Sequence, residues 1–298
     1  MTKTTKHVSR PALACEIAAD RVLAGRGSDG GRMVEMCAAQ ELAPGTLVPD
    51  LTEANLRDGS AVRAAIESTL GDVSGRGRDV VAILPDTAVR VVLLDFETLP
   101  AKHDEAEAVV RFRLKKSLPF NLDEARISYH AQTTKTGVRA VAAVVLNTVL
   151  QEYESAFRDA GYNPGVVMPS MLAALGAADA ERPTLVIKVD ARTISIAILD
   201  QEQLLLFRTL ENMRGVTISG EQLAEEVYPS VVFFQDTYSL NIERIYVAGL
   251  PESLGAAPAL KAQTGAQVEE LVASSQIGSM SGSVPRWRMA GVVGALIA

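Results

Sequence analysis

Two short turns between apolar segments carry the charged residues best placed for ligand chemistry. One reads Glu16-Ile17-Ala18-Ala19-Asp20-Arg21, and the other reads Lys188-Val189-Asp190-Ala191-Arg192-Thr193. Backbone N–H groups at such turns can bind phosphates where the side chains are small, and a nearby carboxylate can orient Mg²⁺. Glu16 could equally be a polar residue at a strand end, and Asp190 and Arg192 could form a local pair without any ligand.

The other reactive side chains lack the neighbours that catalysis or metal binding requires. His7, His103 and His130 lie near no cysteine or carboxylate cluster with ligand spacing, so no Ser/His/Asp or Cys/His set is predicted. Cys15 and Cys37 fall in apolar surroundings, which is typical of small core residues. We therefore expect no metal site and no catalytic residue.

Composition narrows the function classes further. The chain has 298 residues, 48% of them hydrophobic, which suffices for a large core in two domains. A net charge of -7 argues against a nucleic-acid binder, because phosphate neutralisation needs clustered Lys and Arg.

Targeting and membrane signals are weak in this sequence. The polar, basic start, residues 1–10, is followed by no apolar segment, so we expect no signal peptide. No apolar run reaches the roughly 18 residues of a membrane helix. The apolar stretch at 289–298 predicts a buried terminal helix, although a truncated membrane segment would look the same.

The elements that must position the two turns alternate between strand and helix. Apolar runs predict strands at 11–18 and 33–39, joined across a glycine-rich turn at 25–31. Apolar spacing at 53–70 predicts an amphipathic helix, and the wholly apolar run at 80–85 predicts a strand buried on both faces.

A small subdomain of its own is predicted in the middle of the chain. It begins with a strand at 89–100 and a helix at 103–118, which starts with acidic residues, ends with basic ones and stops at Pro119. The elements that complete it are a hairpin of strands at 126–132 and 138–146 and a helix at 148–160.

The second half repeats the order of the first. Three strands follow in quick succession at 184–190, 193–199 and 203–210, and the stretch 211–241 has room for little beyond one helix before a strand at 242–248. Three strands followed by helix and strand, twice in one chain, is the order expected of a duplicated actin-like fold.

Three contiguous segments sharpen this expectation. The run from Glu105 to Ala131 is similar to a family pattern in which an acidic helix ends in a Pro-Phe turn and leads into a strand. The segment Ile83–Pro100 resembles a strand pair closing on Leu-Pro, and Tyr153–Leu175 resembles a helix, glycine, strand and helix. Together they resemble the PilM family of type IV pilus assembly proteins, and a looser likeness extends from about Leu13 to Ile297.

The resemblance implies an α/β fold of the actin-like, ribonuclease H-like type, with an inserted α+β subdomain in the first lobe and a shortened second lobe. The implied units are a first lobe at 1–85, an inserted subdomain at 86–167, a connecting helix at 168–182, a second lobe at 183–285 and a terminal helix at 286–298 that returns to the first lobe.

Members of this family bind ATP between the lobes, and this chain departs from their pattern at each loop. Glu16, Ala18 and Ala19 stand where the first turn has an acidic residue and small polar ones. In the second turn, Lys188 replaces the carboxylate and Asp190 the glycine. The adenosine loop retains Gly249, but Pro251 removes a backbone donor. We expect a scaffold with neither a cofactor nor ATPase activity; binding of ATP and Mg²⁺, with Glu16 and Asp20 as orienting groups, is the alternative.

The resemblance also implies a partner, the short cytoplasmic N-terminal segment of a PilN-like inner-membrane protein held beside the inserted subdomain. A motor ATPase, other platform subunits and a second copy of the chain are further possible partners. The protein would be cytoplasmic and reach the membrane only through them. The residues where we expect the partner segment are Arg90, Val92 and Leu94 in the first strand of the subdomain and Arg111, Leu114, Lys115 and Leu118 in its helix.

Two other functions stay open at this point. The chain could be the actin-like cytoplasmic region of a secretion protein of the GspL kind, which has a related fold. A sugar-kinase-like enzyme is a more distant alternative, because no catalytic Asp stands in a suitable glycine-rich context.

Overall fold

A computed structural model describes residues 10–251, 255–278 and 284–298. Nearly all of the N-terminal segment used above to argue against a signal peptide, including His7, lies outside the described residues, as do two short stretches of the predicted second lobe. Within the described ranges, no helix combines the length and apolar character needed to cross a bilayer.

Strands and helices alternate in the first half of the chain. They are β1 (Leu13–Ala18), β2 (Arg21–Gly27), β3 (Val34–Glu41), α1 (Gly59–Val73), β4 (Asp79–Leu84), β5 (Arg90–Phe96), α2 (His103–Leu114), β6 (Ala125–Thr134), β7 (Gly137–Leu146), α3 (Asn147–Asp159), β8 (Asn163–Pro169) and α4 (Ser170–Ala174).

The same alternation continues in the second half. Its elements are β9 (Thr184–Val189), β10 (Thr193–Asp200), β11 (Gln203–Glu211), α5 (Gly220–Tyr238), β12 (Arg244–Ala248), α6 (Ala256–Thr264), β13 (Gln267–Glu270) and α7 (Ala290–Ile297).

Two five-stranded sheets of matching topology form the two lobes. The first has the order β3-β2-β1-β4-β8 and the second has the order β11-β10-β9-β12-β13. In each, an antiparallel set of three strands continues into two parallel strands. The repeated order inferred from the sequence is therefore confirmed, and α5 is the α-helix between β11 and β12, as the short connection predicted.

The expected glycine-rich turn at 25–31 is partly wrong. Gly25 and Gly27 belong to β2, and the turn is confined to the residues that follow. A β-carbon on Gly25 would lie 2.5 Å from Cγ1 of Val292 in α7, so this glycine allows the terminal helix to pack closely on the strand. Gly25 therefore serves helix packing, whereas Gly30 and Gly31 lie in the turn itself.

The inserted subdomain is smaller than predicted. Its sheet has the order β5-β7-β6, and α2 covers one face through Val110 and Leu114. The expected boundary at 167 falls inside β8, which pairs in parallel with β4 of the first lobe, while α3 packs on α1. Helix α2 also ends at Leu114 and not at Leu118, and turn residues fill the interval before Pro119.

The expected connecting helix and terminal helix both exist, and they pack on each other. Helix α4 is shorter than the predicted 168–182 and continues only as one 3₁₀ turn at 175–177. Gly294 of α7 lies so close to α4 that a β-carbon there would be 2.1 Å from the carbonyl oxygen of Ala173. Apart from the exposed C-terminal end, α7 is buried, which confirms its interpretation as a core helix.

Candidate functional site

The two charged turns meet at the boundary between the lobes. Lys188 lies in β9 of the second lobe, and its Nζ is 3.1 Å from Oε1 of Glu16 in β1 of the first. Each side chain is only 2% exposed. Glu16 Oε1 also accepts a hydrogen bond of 2.5 Å from the Ser170 hydroxyl at the start of α4. Glu16 and Lys188, which stand at the positions of the family's two nucleotide turns, are thus paired with each other.

Asp190 joins the same cluster from the second turn. Lys188 Nζ donates to Asp190 Oδ2, and Arg21 Nη2 lies 3.2 Å from Asp190 Oδ1. Burial alone would raise the pKa of Asp190, but the neighbouring charges of Lys188 and Arg21 outweigh it and lower the pKa. Arg21 also pairs with Asp20 at 2.8 Å, so the carboxylate proposed above to orient a metal already has a cationic partner.

Lys188 keeps its charge in this buried position. Burial opposes protonation, but Asp190, Glu16 and Asp86 surround the ammonium group and raise its pKa above the ordinary value. An ammonium ion therefore stands where an actin-type site would hold a carboxylate, and its counter-charges are supplied by the protein.

Asp86 makes a further contact between the lobes and was missed by sequence reasoning. Its Oδ2 accepts a 2.6 Å hydrogen bond from the Ser195 hydroxyl of β10, and its Oδ1 accepts one of 2.9 Å from the backbone N–H of Met171. Burial raises the pKa of Asp86 to about 6, although nearby Lys188 opposes the shift. Its position directly after the buried strand β4 was the available signal, because strand ends in α/β folds often carry site residues.

Little space remains between the two turns. The cavity lined by Glu16, Ala18, Ala19, Asp86 and Asp190 has a volume of about 20 Å³. A single water molecule needs at least about 10–15 Å³ by the same measure. The space directly between the two turns is therefore too small for a triphosphate while the Glu16–Lys188 pair is closed.

Gly249, the remaining glycine of the expected adenosine loop, has a packing role. Its φ is +82°, and a β-carbon there would lie 1.7 Å from the carbonyl oxygen of Val189. Its backbone N–H donates a 2.7 Å hydrogen bond to the carbonyl of Trp287. The glycine is required for the approach of β12 to β9, and its N–H group is not available to a ligand.

The residues expected to contact a partner segment are divided between two surfaces and the core. Leu94 and Leu114 are buried in the core under α2, and half-buried Val92 and Leu118 pack against the same core. The two leucines cannot contact a partner unless the subdomain opens, so their selection as contact residues is wrong for the closed subdomain.

The charged members of that set also lie apart. Arg111 donates a 2.7 Å hydrogen bond to the carbonyl of Leu122 and lies 3.6 Å from a Glu107 oxygen. Lys115 is exposed just beyond the C-terminal end of α2, whereas Arg90 is exposed at the start of the edge strand β5.

A groove of about 520 Å³ lies between the second lobe on one side and the inserted subdomain with residues 48–51 of the first lobe on the other, and its lining includes Asp86 and Arg192 of the lobe boundary. Residues that line it include Arg90 and Val91 of β5 and Phe207, Thr209 and Leu210 of β11. In the described part of the chain, β5 and β11 are each the edge of a sheet and pair with one strand only. Each therefore has a row of backbone groups outside any ladder.

Metal ligands are not gathered in the described residues, where no group of three or more His, Cys, Asp or Glu side chains could hold an ion. His103 packs edge-on against Tyr129, with 5.6 Å between the ring centroids. Cys15 and Cys37 are free and buried, as predicted. Burial raises the pKa of the Cys37 thiol to about 12, so it is not a reactive thiolate.

No protein-family model matches the sequence, and no curated protein matches it significantly. Among solved structures, a chain of a PilM–PilN type IV pilus biogenesis complex has a TM-score of 0.79 at 20% identity, over 96% of this chain and 97% of that one. The cytoplasmic domain of EpsL, an inner-membrane component of the type II secretion system of Vibrio cholerae, has a TM-score of 0.56 at 11% identity, over 96% and 94%.

At these identities the likeness concerns the backbone arrangement alone. It agrees with the duplicated sheets and the inserted subdomain described above. The chain therefore has a PilM-like version of the actin-like fold.

Proposed function

We propose that this chain is a cytoplasmic scaffold of a type IV pilus or related secretion platform at the inner membrane. In this role it binds an extended segment of a PilN-like membrane protein and does not hydrolyse ATP. The observation that carries the proposal is the groove between the two edge strands β5 and β11. The similarity to a chain of a PilM–PilN complex supports it at the level of the fold.

The groove suits an extended peptide for a general physical reason. An edge strand offers N–H and C=O groups at a regular spacing, and a peptide that pairs with them extends the sheet. Here two such edges line one groove, and Phe207 and Leu210 add apolar surface for alternate side chains. Backbone pairing would supply affinity, and the apolar contacts would supply sequence preference.

The buried cluster between the lobes supports the absence of ATPase activity. The Glu16–Lys188 pair and the Asp86–Ser195 hydrogen bond join the lobes where an actin-type nucleotide would lie. Opening this cleft would expose several paired charges at once and leave them without the partners that make their burial tolerable. A scaffold that holds its lobes together without nucleotide fits this arrangement better than a nucleotide-driven switch.

Titration calorimetry with the full chain tests the partner site. The probe is a synthetic peptide with the sequence of the cytoplasmic N-terminal segment of the PilN-like protein from the same organism. We expect saturable binding that Thr209→Trp weakens by about tenfold or more, because the added indole fills the groove. Thr237→Trp, at an exposed position on α5 outside the groove lining, is the matched control and should bind like the unmodified protein.

Two results would count against the proposal. The first is the absence of saturable binding by folded protein at submillimolar peptide. The second is equal binding by both tryptophan variants, which would locate the peptide site elsewhere on the molecule.

A further inference from the structure

One helix of the inserted subdomain has an exposed face that is both apolar and basic. On α2, Phe112 is 69% exposed and Val109 is 37% exposed, and Lys115 and Lys116 are exposed in the turn that follows the helix. Lys115 and Lys116 form no ion pair within the described residues, and Arg113 lies over the Phe96 ring at 5.9 Å. We call Val109, Phe112, Arg113, Lys115 and Lys116 the basic face.

A helix of the second lobe has the opposite character. On α5, Tyr228 is 50% exposed and Phe233 is 47% exposed. Glu225 and Asp236, three turns apart and so on the same side of the helix, form no ion pair among the residues described. Arg208 lies 5.0 Å from the Phe233 ring, but nearly half of this side chain stays exposed. We call Glu225, Tyr228, Phe233 and Asp236 the acidic face.

The two faces cannot meet within one molecule. The side of the inserted sheet that carries Leu94 is covered by α2, and the other side, with Val91 and Val141, packs in one core with Leu199 and Leu204 of the second lobe. The helix α5 lies beyond that lobe's sheet, where Phe234 packs with other residues in a separate core. Two sheets therefore separate the basic face from the acidic face.

We propose that the basic face of one copy binds the acidic face of a second copy. Each face combines exposed aromatic surface with charges mainly of one sign, Arg208 at Phe233 being the exception on the acidic face, so their contact would bury apolar area and pair opposite charges. Because the faces lie on opposite sides of the molecule, one pair of copies cannot satisfy both, and the contact repeats head to tail into a row or a ring. This surface is separate from the groove proposed for the peptide.

The sign of the remaining surface makes this contact specific. The protein carries a net charge of -7, so copies that approach in other orientations repel each other on average. The basic face is a local exception to that charge, and the acidic face supplies its complement. An anionic lipid surface also has the charge to attract the basic face, but it would leave the exposed aromatic residues of α5 without a role.

Charge reversal on each face gives a test with an internal rescue. Sedimentation velocity of the full chain, at concentrations up to the submillimolar range, should show a mass that rises with concentration. Lys115→Glu/Lys116→Glu and Glu225→Lys/Asp236→Lys should each weaken this association by about tenfold or more. An equimolar mixture of the two variants, and the chain that carries all four changes, should regain it, because opposite charges then face each other again.

Three results would overturn the proposal. They are a monomeric unmodified protein at every concentration, association that charge reversal leaves unchanged, and reversed variants that stay monomeric when mixed. Circular dichroism and thermal unfolding of each variant establish that it is folded. Sedimentation with phosphatidylserine vesicles addresses the lipid surface, and vesicle binding through Phe112 by a protein that does not self-associate would also overturn the proposal.

Discussion

Lys188 and Glu16 form a 3.1 Å ion pair that joins the two lobes, and both side chains are almost completely buried. Each of these residues already has a protein partner of opposite charge, so the pair is not arranged to coordinate magnesium. The pair occupies the region in which the fold would bind phosphate. The lysine thus supplies internally a positive charge that would otherwise come with a metal–nucleotide complex.

Removal of the lysine should strongly destabilise the protein. Lys188→Met leaves Glu16 buried without its cation and Asp190 with Arg21 alone, and we expect a loss of about 3–5 kcal/mol in the free energy of unfolding, measured by urea denaturation. Lys135→Met, at an exposed hairpin turn, is the control and should change stability by less than about 0.5 kcal/mol.

A double variant tests whether the ion pair itself causes this loss of stability. If the ion pair is the cause, Glu16→Gln in the Lys188→Met background should restore part of the lost stability, because one unpaired charge is removed. A double variant whose loss of stability equals the sum of the losses in Lys188→Met and Glu16→Gln alone would contradict this explanation.

Nucleotide should not bind to the closed molecule. Calorimetric titration of folded protein with Mg-ATP, and with ADP as a control, should give no saturable heat at millimolar nucleotide. The reason is that the cavity between the turns measures about 20 Å³ and is lined by the carboxylates of Glu16, Asp86 and Asp190. Saturable micromolar binding would instead mean that the lobes open readily and that the chain is a nucleotide-switched assembly factor.

Asp86 should make stability depend on pH in mildly acidic solution. Its pKa is raised by burial from 3.8 to about 6, so the folded state binds more protons than the unfolded state between these values. Its contribution to stability is therefore present below about pH 4 and is lost as the pH rises towards 6, by roughly 3 kcal/mol in total.

The Asp86→Asn variant isolates this contribution. The amide can still accept from the Met171 N–H and bond with Ser195, but it does not titrate. As the pH rises from 4 to 7, the unmodified protein should lose stability relative to the Asp86→Asn variant. Urea denaturation of both proteins measures this difference. A difference that stays constant would show that Asp86 has an ordinary pKa.

Gly249 should tolerate no side chain. Gly249→Ala would place a β-carbon 1.7 Å from the Val189 carbonyl oxygen at a φ of +82°, and we expect a loss of about 2 kcal/mol or more, measured by thermal unfolding. Gly265→Ala is the matched control, since Gly265 has a φ of +73° with no atom within 4 Å of the added carbon. It should lose only about 1 kcal/mol, the cost of left-handed backbone. Equal losses would mean that the contact with Val189 is unimportant.

Much of the fold follows from patterns within short segments. The apolar run before Pro85 and the three strands that begin at Thr184 were predicted almost to their ends, because side-chain alternation and burial leave a local signature. The hairpin that turns at Gly137 and the buried C-terminal helix were recovered for the same reason. Family resemblance then assembled these elements into an actin-like order.

The candidate site was recoverable only in part. Glu16, Lys188 and Asp190 were selected because they stand at the family's nucleotide turns. The sequence did not show that they pair, because Glu16 and Lys188 are more than 160 positions apart. Ser195 showed no pattern in the sequence, and Asp86 was marked only by its place after the buried strand β4. Their hydrogen bond depends on how the lobes dock. Likewise, the helical spacing of Leu114 marked an apolar stripe but did not tell whether a partner or the subdomain's own sheet covers it.

The sequence by itself thus determined the strands, the helices and their repeated order, since these depend on the period of apolar residues along a few neighbouring turns of chain. Only the tertiary structure decided that the charges at the lobe boundary neutralise one another, that Gly25 and Gly249 serve close packing, and that β5 and β11 face each other across a groove. The physical reason is that burial, ion pairing and edge exposure are properties of contacts between distant segments, and no local periodicity records them.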